Sequence, residues 1–256
     1  GEMLEAGFTH VVEFHYLHHG PDGRAYADPA EMGARIAAAA ARTGIGLTLL
    51  PVLYRWGDFG GKPPLPGQRR FVSDPDLYGR LIEASARAIR PVPDARLGVA
   101  PHSLRAVTAE DLRFALSLVA DGPVHIHAAE QPKEVADSLA FSGQRPVEWL
   151  LAHAGIDARW CLIHATHVTP AEMAGLAASG AVAGLCPITE ANLGDGIFPA
   201  VEYGAAGGRY GVGSDSNVLI SGMEELRILE YGQRLQHRRR NRLAGATPSL
   251  GRSLWD

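Results

Sequence analysis

The chain has only two cysteines in 256 residues, Cys161 and Cys186, and both lie inside apolar runs. This excludes a small secreted scaffold held by disulfides; the pair reads as buried free thiols in a reducing, cytoplasmic setting. No apolar run reaches about 18 residues, so no segment is suited to cross a membrane as a helix. Neither sign of charge dominates: 24 Lys and Arg against 28 Asp and Glu leave a formal net charge of −4. Such a balance points to no nucleic-acid or membrane partner. The phosphate-binding turns are missing too. No G-x-G-x-x-G follows an early strand, and no G-x-x-x-x-G-K-[ST] occurs, which removes the usual nucleotide cradles.

Turn formers, by contrast, are plentiful: 30 Gly and 17 Pro fit a chain of short alternating elements. Seven β-branched, apolar runs recur: "THVVEFHY" (9–16), "GIGLTLLPVLY" (44–54), "RLGVAP" (96–101), "PVHIHA" (123–128), "WCLIHA" (160–165), "AVAGLCP" (181–187) and "RYGVGS" (209–214). Ala- and Leu-rich stretches of helical period separate them, at 29–44, 108–122, 145–155 and 169–180. Several open on a Thr or Asp cap and close on Gly. Strand–helix alternation of this kind predicts a parallel sheet. At this length the candidates are a (β/α)8 barrel one strand short and a doubly wound open sheet.

The polar residues separate the two. His15, Tyr16, His102, His127, His164 and Asp215 each fall at or just beyond the C-terminal end of a strand. A barrel gathers those ends around one mouth, whereas an open sheet would spread them along a crevice. The expected fold is therefore an α/β barrel of the TIM type with about seven strands present, forming one catalytic domain over 1–256. One aperiodic, Gly/Pro-rich segment, 55–76, is expected as a loop or pocket wall at that mouth.

Within "PVHIHAAEQ" (123–131), His125 and His127 share one face of a strand while Val124 and Ile126 take the other. An isolated H-x-H is more often two core histidines than a metal site. His127, His164 and Asp215 close three separate strands, however, with Glu130 just past the first. Imidazole and carboxylate donors of this kind suit zinc. A nearby carboxylate can then shuttle a proton from a metal-activated water. Each residue has a plainer reading: His164 as core, Asp215 as a helix N-cap, Glu130 as a solvated helix start, Arg105 as a surface ion pair. The basic run "HRRRNR" (237–242) reads as the solvated end of the last helix.

"HIHAAEQ", "LIHATH", "LCPITEANLGDGIFP" and "GVGSDS" resemble strands five to eight of the amidohydrolase superfamily deaminases. The segments 13–28, 100–107, 125–135 and 230–243 extend that resemblance toward the formiminoglutamate deiminases. The resemblance implies His127 and Asp215 as metal ligands. Glu130, His164 and Asp215 become catalytic, and Tyr16, His102 and Arg105 bind a small dicarboxylate substrate. Arg105 suits that task because a guanidinium grips a carboxylate bidentately. The implied cofactor is one zinc, with iron compatible. The implied reaction is hydrolysis of N-formimino-L-glutamate to N-formyl-L-glutamate and ammonia, in histidine degradation, by an enzyme that is often a homodimer. Alternatives are a deaminase of a purine, pyrimidine or triazine ring, and a non-catalytic dicarboxylate-binding barrel. The family takes two more metal histidines from an H-x-H on a first strand. The order of H-x-x-E, His164 and Asp215 identifies the "HIH" at 125 as strand five instead. The chain is therefore expected to be a fragment, lacking that first strand and a C-terminal portion.

Overall fold

The computed structural model describes residues 1–216, 218–245 and 249–255. Parallel pairing organises it. β1 (His10–His15) lies beside β2 (Gly46–Leu53), and β2 pairs with β3 (Arg96–Leu97) and β4 (Ala100–Pro101). β5 (Val124–Ala128), β6 (Trp160–His164), β7 (Val182–Leu185) and β8 (Arg209–Val212) follow in sequence order, all parallel. Single bridges Val99↔Val124 and Ser103↔His127 join the two sets. The seven expected strand positions thus form one curved run. The third is split into β3 and β4 at Gly98–Val99. The chain there passes so close to Pro123 that a Cβ on Gly98 would sit 2.3 Å from its carbonyl oxygen. Among the described residues β1 and β8 pair only inward.

The helices begin and end where local chemistry dictates. α1 (Glu2–Glu5) is a single turn ahead of β1. α2 (Glu31–Thr43) closes on Gly44 in the left-handed region, and α3 (Pro75–Ile89) opens on Asp74, whose carboxylate accepts the Leu77 N–H. α4 (Ala109–Leu118) and α7 (Pro170–Ser179) each carry a reciprocal cap, Thr108 with Asp111 and Thr169 with Glu172. These caps satisfy N–H groups that the first helical turn cannot. α5 (Pro132–Ser142) and α6 (Pro146–His153) fill the β5–β6 crossover. α8 (Pro187–Leu193) and α9 (Ala200–Ala205) occupy the β7–β8 crossover, and α10 (Gly222–His237) follows β8. A short α11 (Leu250–Trp255) ends the described chain. The basic run starts where α10 stops: Arg238 is the left-handed C-cap, at the negative end of the helix dipole.

Burial fixes which way each strand faces. Val124, Ile126, Trp160, Leu162, Ala183 and Leu185 are essentially inaccessible and pack with Leu150 and Leu176 of the outer helices. Each of the branched aliphatic side chains among them contributes roughly 1.5–3 kcal/mol by leaving water. Their neighbours one residue along the strand then have to face the barrel axis.

The 55–76 segment is tethered despite its lack of period. Arg55 donates to the Asp111 carboxylate, and Trp56 Nε1 donates to its other oxygen at 3.1 Å. The same oxygen accepts Thr108 N–H at 2.9 Å and the Thr108 hydroxyl at 2.8 Å. Burial alone would raise the Asp111 pKa. The Thr108 backbone, Arg55, the Thr108 hydroxyl and Trp56 together hold it below the ordinary carboxylate value. A depressed folded-state pKa contributes stability above the unfolded value, and that contribution is lost as the pH falls. Asp111→Asn is therefore expected to cost roughly 2 kcal/mol at pH 7. In urea titrations the gap to the unsubstituted protein narrows below about pH 4, and a gap constant with pH would refute the clamp.

Candidate metal and catalytic site

The strand ends meet at one mouth. One ligand atom each from His127, His164 and Asp215 lies within 4.8 Å of the others. Both imidazoles are buried, and Asp215 is exposed. The backbone is bent to reach this arrangement. Ala129, His164, Ala165 and Asp215 have φ of 53°, 66°, 48° and 43°, in the left-handed region that L-residues adopt at a cost. Four such residues at or just past the ends of β5, β6 and β8 mark the place where the fold accepts strain to aim side chains.

His127 is held on three sides. Its Nδ1 lies 3.2 Å from the His102 carbonyl, which only accepts, so Nδ1 carries the proton and Nε2 the lone pair. Its ring stacks on His102 at 4.8 Å between centroids and meets the edge of Phe14 at 4.6 Å. Burial first, then neighbouring His102 and His164, push its pKa well below the ordinary histidine value. His127 is therefore neutral at neutral pH, with the Nε2 lone pair available. A histidine pinned at one nitrogen by a carbonyl and offering the other is how metal-ligating imidazoles are commonly set. With the Asp215 carboxylate within reach, this donor chemistry fits a divalent metal of the zinc type.

His164 stands in opposite surroundings. Its Nδ1 lies 3.2 Å from Glu190 Oε1 and its Nε2 3.7 Å from Glu130 Oε1. Burial would lower its pKa, but Glu190, Glu130 and Asp215 together raise it. Glu130 also lies 3.5 Å from Arg105 Nη2. Burial raises the Glu130 pKa, and His164 and Arg105 pull against that. Tyr16 Oη lies 3.1 Å from His102 Nε2, with the Tyr54 ring 4.6 Å from that of His102. His102 is kept neutral, its pKa lowered to about 3 by burial and by Arg105.

The structure thus brings Tyr16, His102, Arg105, His127, Glu130, His164 and Asp215 to one mouth. Asp215 is not a helix cap, because Ser221 caps α10. Glu130 precedes the α5 cap, Gln131, and is an ion-pair partner rather than a solvated start. His125 faces the axis below His127, its pKa lowered to about 4 by burial, and is outside the cluster. Phe14, Glu134 and Glu190 also belong to the site and carry no local sequence signal. Glu134 is buried and accepts the Glu130 N–H at 3.0 Å. Glu190 lay inside a segment already singled out, "LCPITEANLGDGIFP", but nothing in its spacing marks it. The 55–76 segment lines a 310 Å³ cavity behind Arg105, with Trp56, Phe59, Leu104 and Phe141 among its walls.

A barrel whose strand ends gather two imidazoles, a carboxylate and a flanking Glu defines the class of metal-dependent hydrolases. Residues 1–248 match the model of the amidohydrolase family, and the chain belongs to that family, which is metal-dependent. Formimidoylglutamate deiminase of Pseudomonas aeruginosa is 57% identical over the whole chain, which covers 56% of that protein. An amidohydrolase of Brucella melitensis, known from its crystal structure, is 59% identical. It superposes with a TM-score of 0.97 over 99% of this chain and 57% of its own. The 8-oxoguanine deaminase of P. aeruginosa is 30% identical over 92% of this chain and 52% of its own. The chain spans little more than half the length of these relatives. No helix among the described residues is long and apolar enough to cross a membrane.

Proposed function

We propose that residues 1–256 form the catalytic barrel domain of a deiminase. It hydrolyses N-formimino-L-glutamate to N-formyl-L-glutamate and ammonia, as part of histidine degradation. The observation that carries this reading is the placement of Glu130. Its two oxygens are shared between the guanidinium of Arg105 and the imidazole of His164, so one carboxylate links a cationic subsite to the candidate metal cluster. The whole-chain identity to a protein of that name supports the substrate. The two unpaired cysteines fit work in a reducing cytoplasm.

His127 Nε2 and the Asp215 carboxylate would hold the metal, with zinc the ion their chemistry suits best. When bound, such an ion supplies a water whose pKa lies near 7. Glu130 takes a proton from the attacking water and delivers it to the departing nitrogen, a general-base and then general-acid role. His164, through Nε2, hydrogen-bonds the attacking oxygen and steadies the charge that develops there. Asp215 shares the remaining proton. Arg105 receives one substrate carboxylate, with Tyr16 and His102 completing the wall. One C–N bond is cleaved, the carbon gains the oxygen of water, and ammonia leaves with the transferred protons.

In the full-length protein, ammonia release is expected from N-formimino-L-glutamate and not from guanine or cytosine. Release from a ring substrate alone would overturn the reading. Arg105→Met should raise KM roughly 10- to 100-fold, the worth of a hydrogen bond to a charged group, with a smaller change in kcat. Dialysis against a chelator should abolish turnover and added zinc restore it. Elemental analysis should find far less metal in His127→Ala and Asp215→Ala than in His125→Ala; equal content in all three would remove the assigned ligands.

A further inference from the structure

The short helix α8 is tied to the site by three consecutive residues. Ile188 N–H donates to Glu225 Oε2 at 2.9 Å, and Glu225 is fully buried on α10. The Thr189 hydroxyl lies 3.0 Å from the Ser216 hydroxyl, one residue past Asp215. Glu190 Oε1 lies 3.2 Å from His164 Nδ1 and accepts the Cys186 N–H at 2.9 Å. Ile188, Thr189, Glu190 and Glu225 are all at most 8% exposed. Three links from one turn therefore run to the end of β6, to the segment after β8 and to α10.

From this juxtaposition we propose that Thr189 and Glu190 are positioning residues for the hydrolytic site, a bracket that aims His164 and Asp215 from behind. The argument for Glu190 is one of valence. Its Oε1 already accepts the Cys186 N–H, so this oxygen faces donors, and His164 Nδ1 meets it as an N–H. That fixes the imidazole plane and leaves Nε2 directed at Glu130 and the cluster. The left-handed backbone at His164, φ 66°, gives no rotational control of the ring by itself, and the carboxylate supplies it. Thr189 acts on the other side. Its hydroxyl restrains Ser216, and through the chain Asp215, which stands three residues beyond the end of β8, exposed and in a left-handed conformation. Glu225 in turn holds the first turn of α8 in place through Ile188. Neither Thr189 nor Glu190 is assigned contact with substrate.

The activity arm of the test rests on the reading under Proposed function; the spectroscopic arm does not. Long-range proton–nitrogen spectra of the full-length, metal-free protein, with His164 assigned from His164→Gln, are expected to show Nδ1 protonated. Glu190→Ala should convert that signal to a mixture of tautomers. It should also lower kcat about 10- to 100-fold with KM for N-formimino-L-glutamate little changed. Glu190→Gln keeps an oxygen for both donors. It should retain the Nδ1–H signal and most of the turnover, and it serves if the Ala variant does not fold. Thr189→Val should lower kcat and Thr189→Ser restore it. An unchanged His164 tautomer in Glu190→Ala, or turnover lost equally in Glu190→Ala and Glu190→Gln with the tautomer intact, would overturn the bracket. A tautomer change in Glu190→Ala, together with no ammonia release from the unsubstituted protein, would keep the bracket and discard the substrate.

Discussion

The parallel register between β5 and β6 is the constraint on which the site depends. It sets His127 beside Ile163 and Ala128 beside His164. His127 and His164 thus come from the ends of adjacent strands, 5.4 Å apart between ring centroids. Side chains alternate along a strand, so a slip of one residue would turn His127 outward into the helices and bring Ala128 to the axis. What prevents the slip is burial of Val124 and Ile126 on the opposite face of β5; His164 has the parity of the buried Trp160 and Leu162 and reaches the mouth through its left-handed backbone, φ 66°. A non-directional force thereby fixes a directional arrangement. The same logic runs on through β7 and β8, whose register brings the segment carrying Asp215 to the same rim.

That dependence explains how much of the fold could be read from the chain. β-branched runs and Gly-capped helices are local signals, and all seven strand positions and the helices at 29–44, 108–122, 145–155 and 169–180 follow from them. Strand ends in a barrel share one mouth, so residues seen at those ends could be placed together without knowing any distance. Contacts with no local signature stayed hidden. Glu190 reaches His164 across 26 residues, and Glu225 reaches Ile188 across 37. The seven-residue α8 and six-residue α9 are too short for periodicity to declare them. The plainer reading of Asp215 as a cap could be dismissed only once Ser221 was seen at the start of α10. Glu134 is hidden for a similar reason: its partner is a backbone N–H, and every residue but proline has one.

The two histidines of the cluster show how the surroundings divide roles between identical side chains. His127 sees Phe14 and the His102 ring, and its burial with the neighbouring imidazoles outweighs the one contact that favours charge, the His102 carbonyl. His164 sees Glu190, Glu130 and Asp215, which all favour charge. A neutral ring with a free lone pair serves as a metal donor. A ring drawn toward protonation serves as a hydrogen-bond donor to oxygen. The division follows from which strand each residue closes. β5 faces the aromatic wall built from Phe14, Tyr16 and Tyr54, whereas β6 faces the acidic side formed by α8 and the residues beyond β8.

Asp215 completes the set under a different constraint. β2 is buried at seven of its eight positions, whereas β8 alternates between exposed and partly buried residues, and β1 does so until it reaches Phe14 and the buried His15. The flanking strands of the run lack a neighbour on one side among the described residues, and Asp215, just past β8, inherits that exposure. An exposed carboxylate is solvated and conformationally free, and side-chain entropy must be lost to hold it against two imidazoles. The Thr189–Ser216 contact and the left-handed backbone at Asp215 both act against that freedom. Buried imidazoles at the ends of interior strands therefore need only orientation, whereas the exposed carboxylate beyond β8 needs restraint.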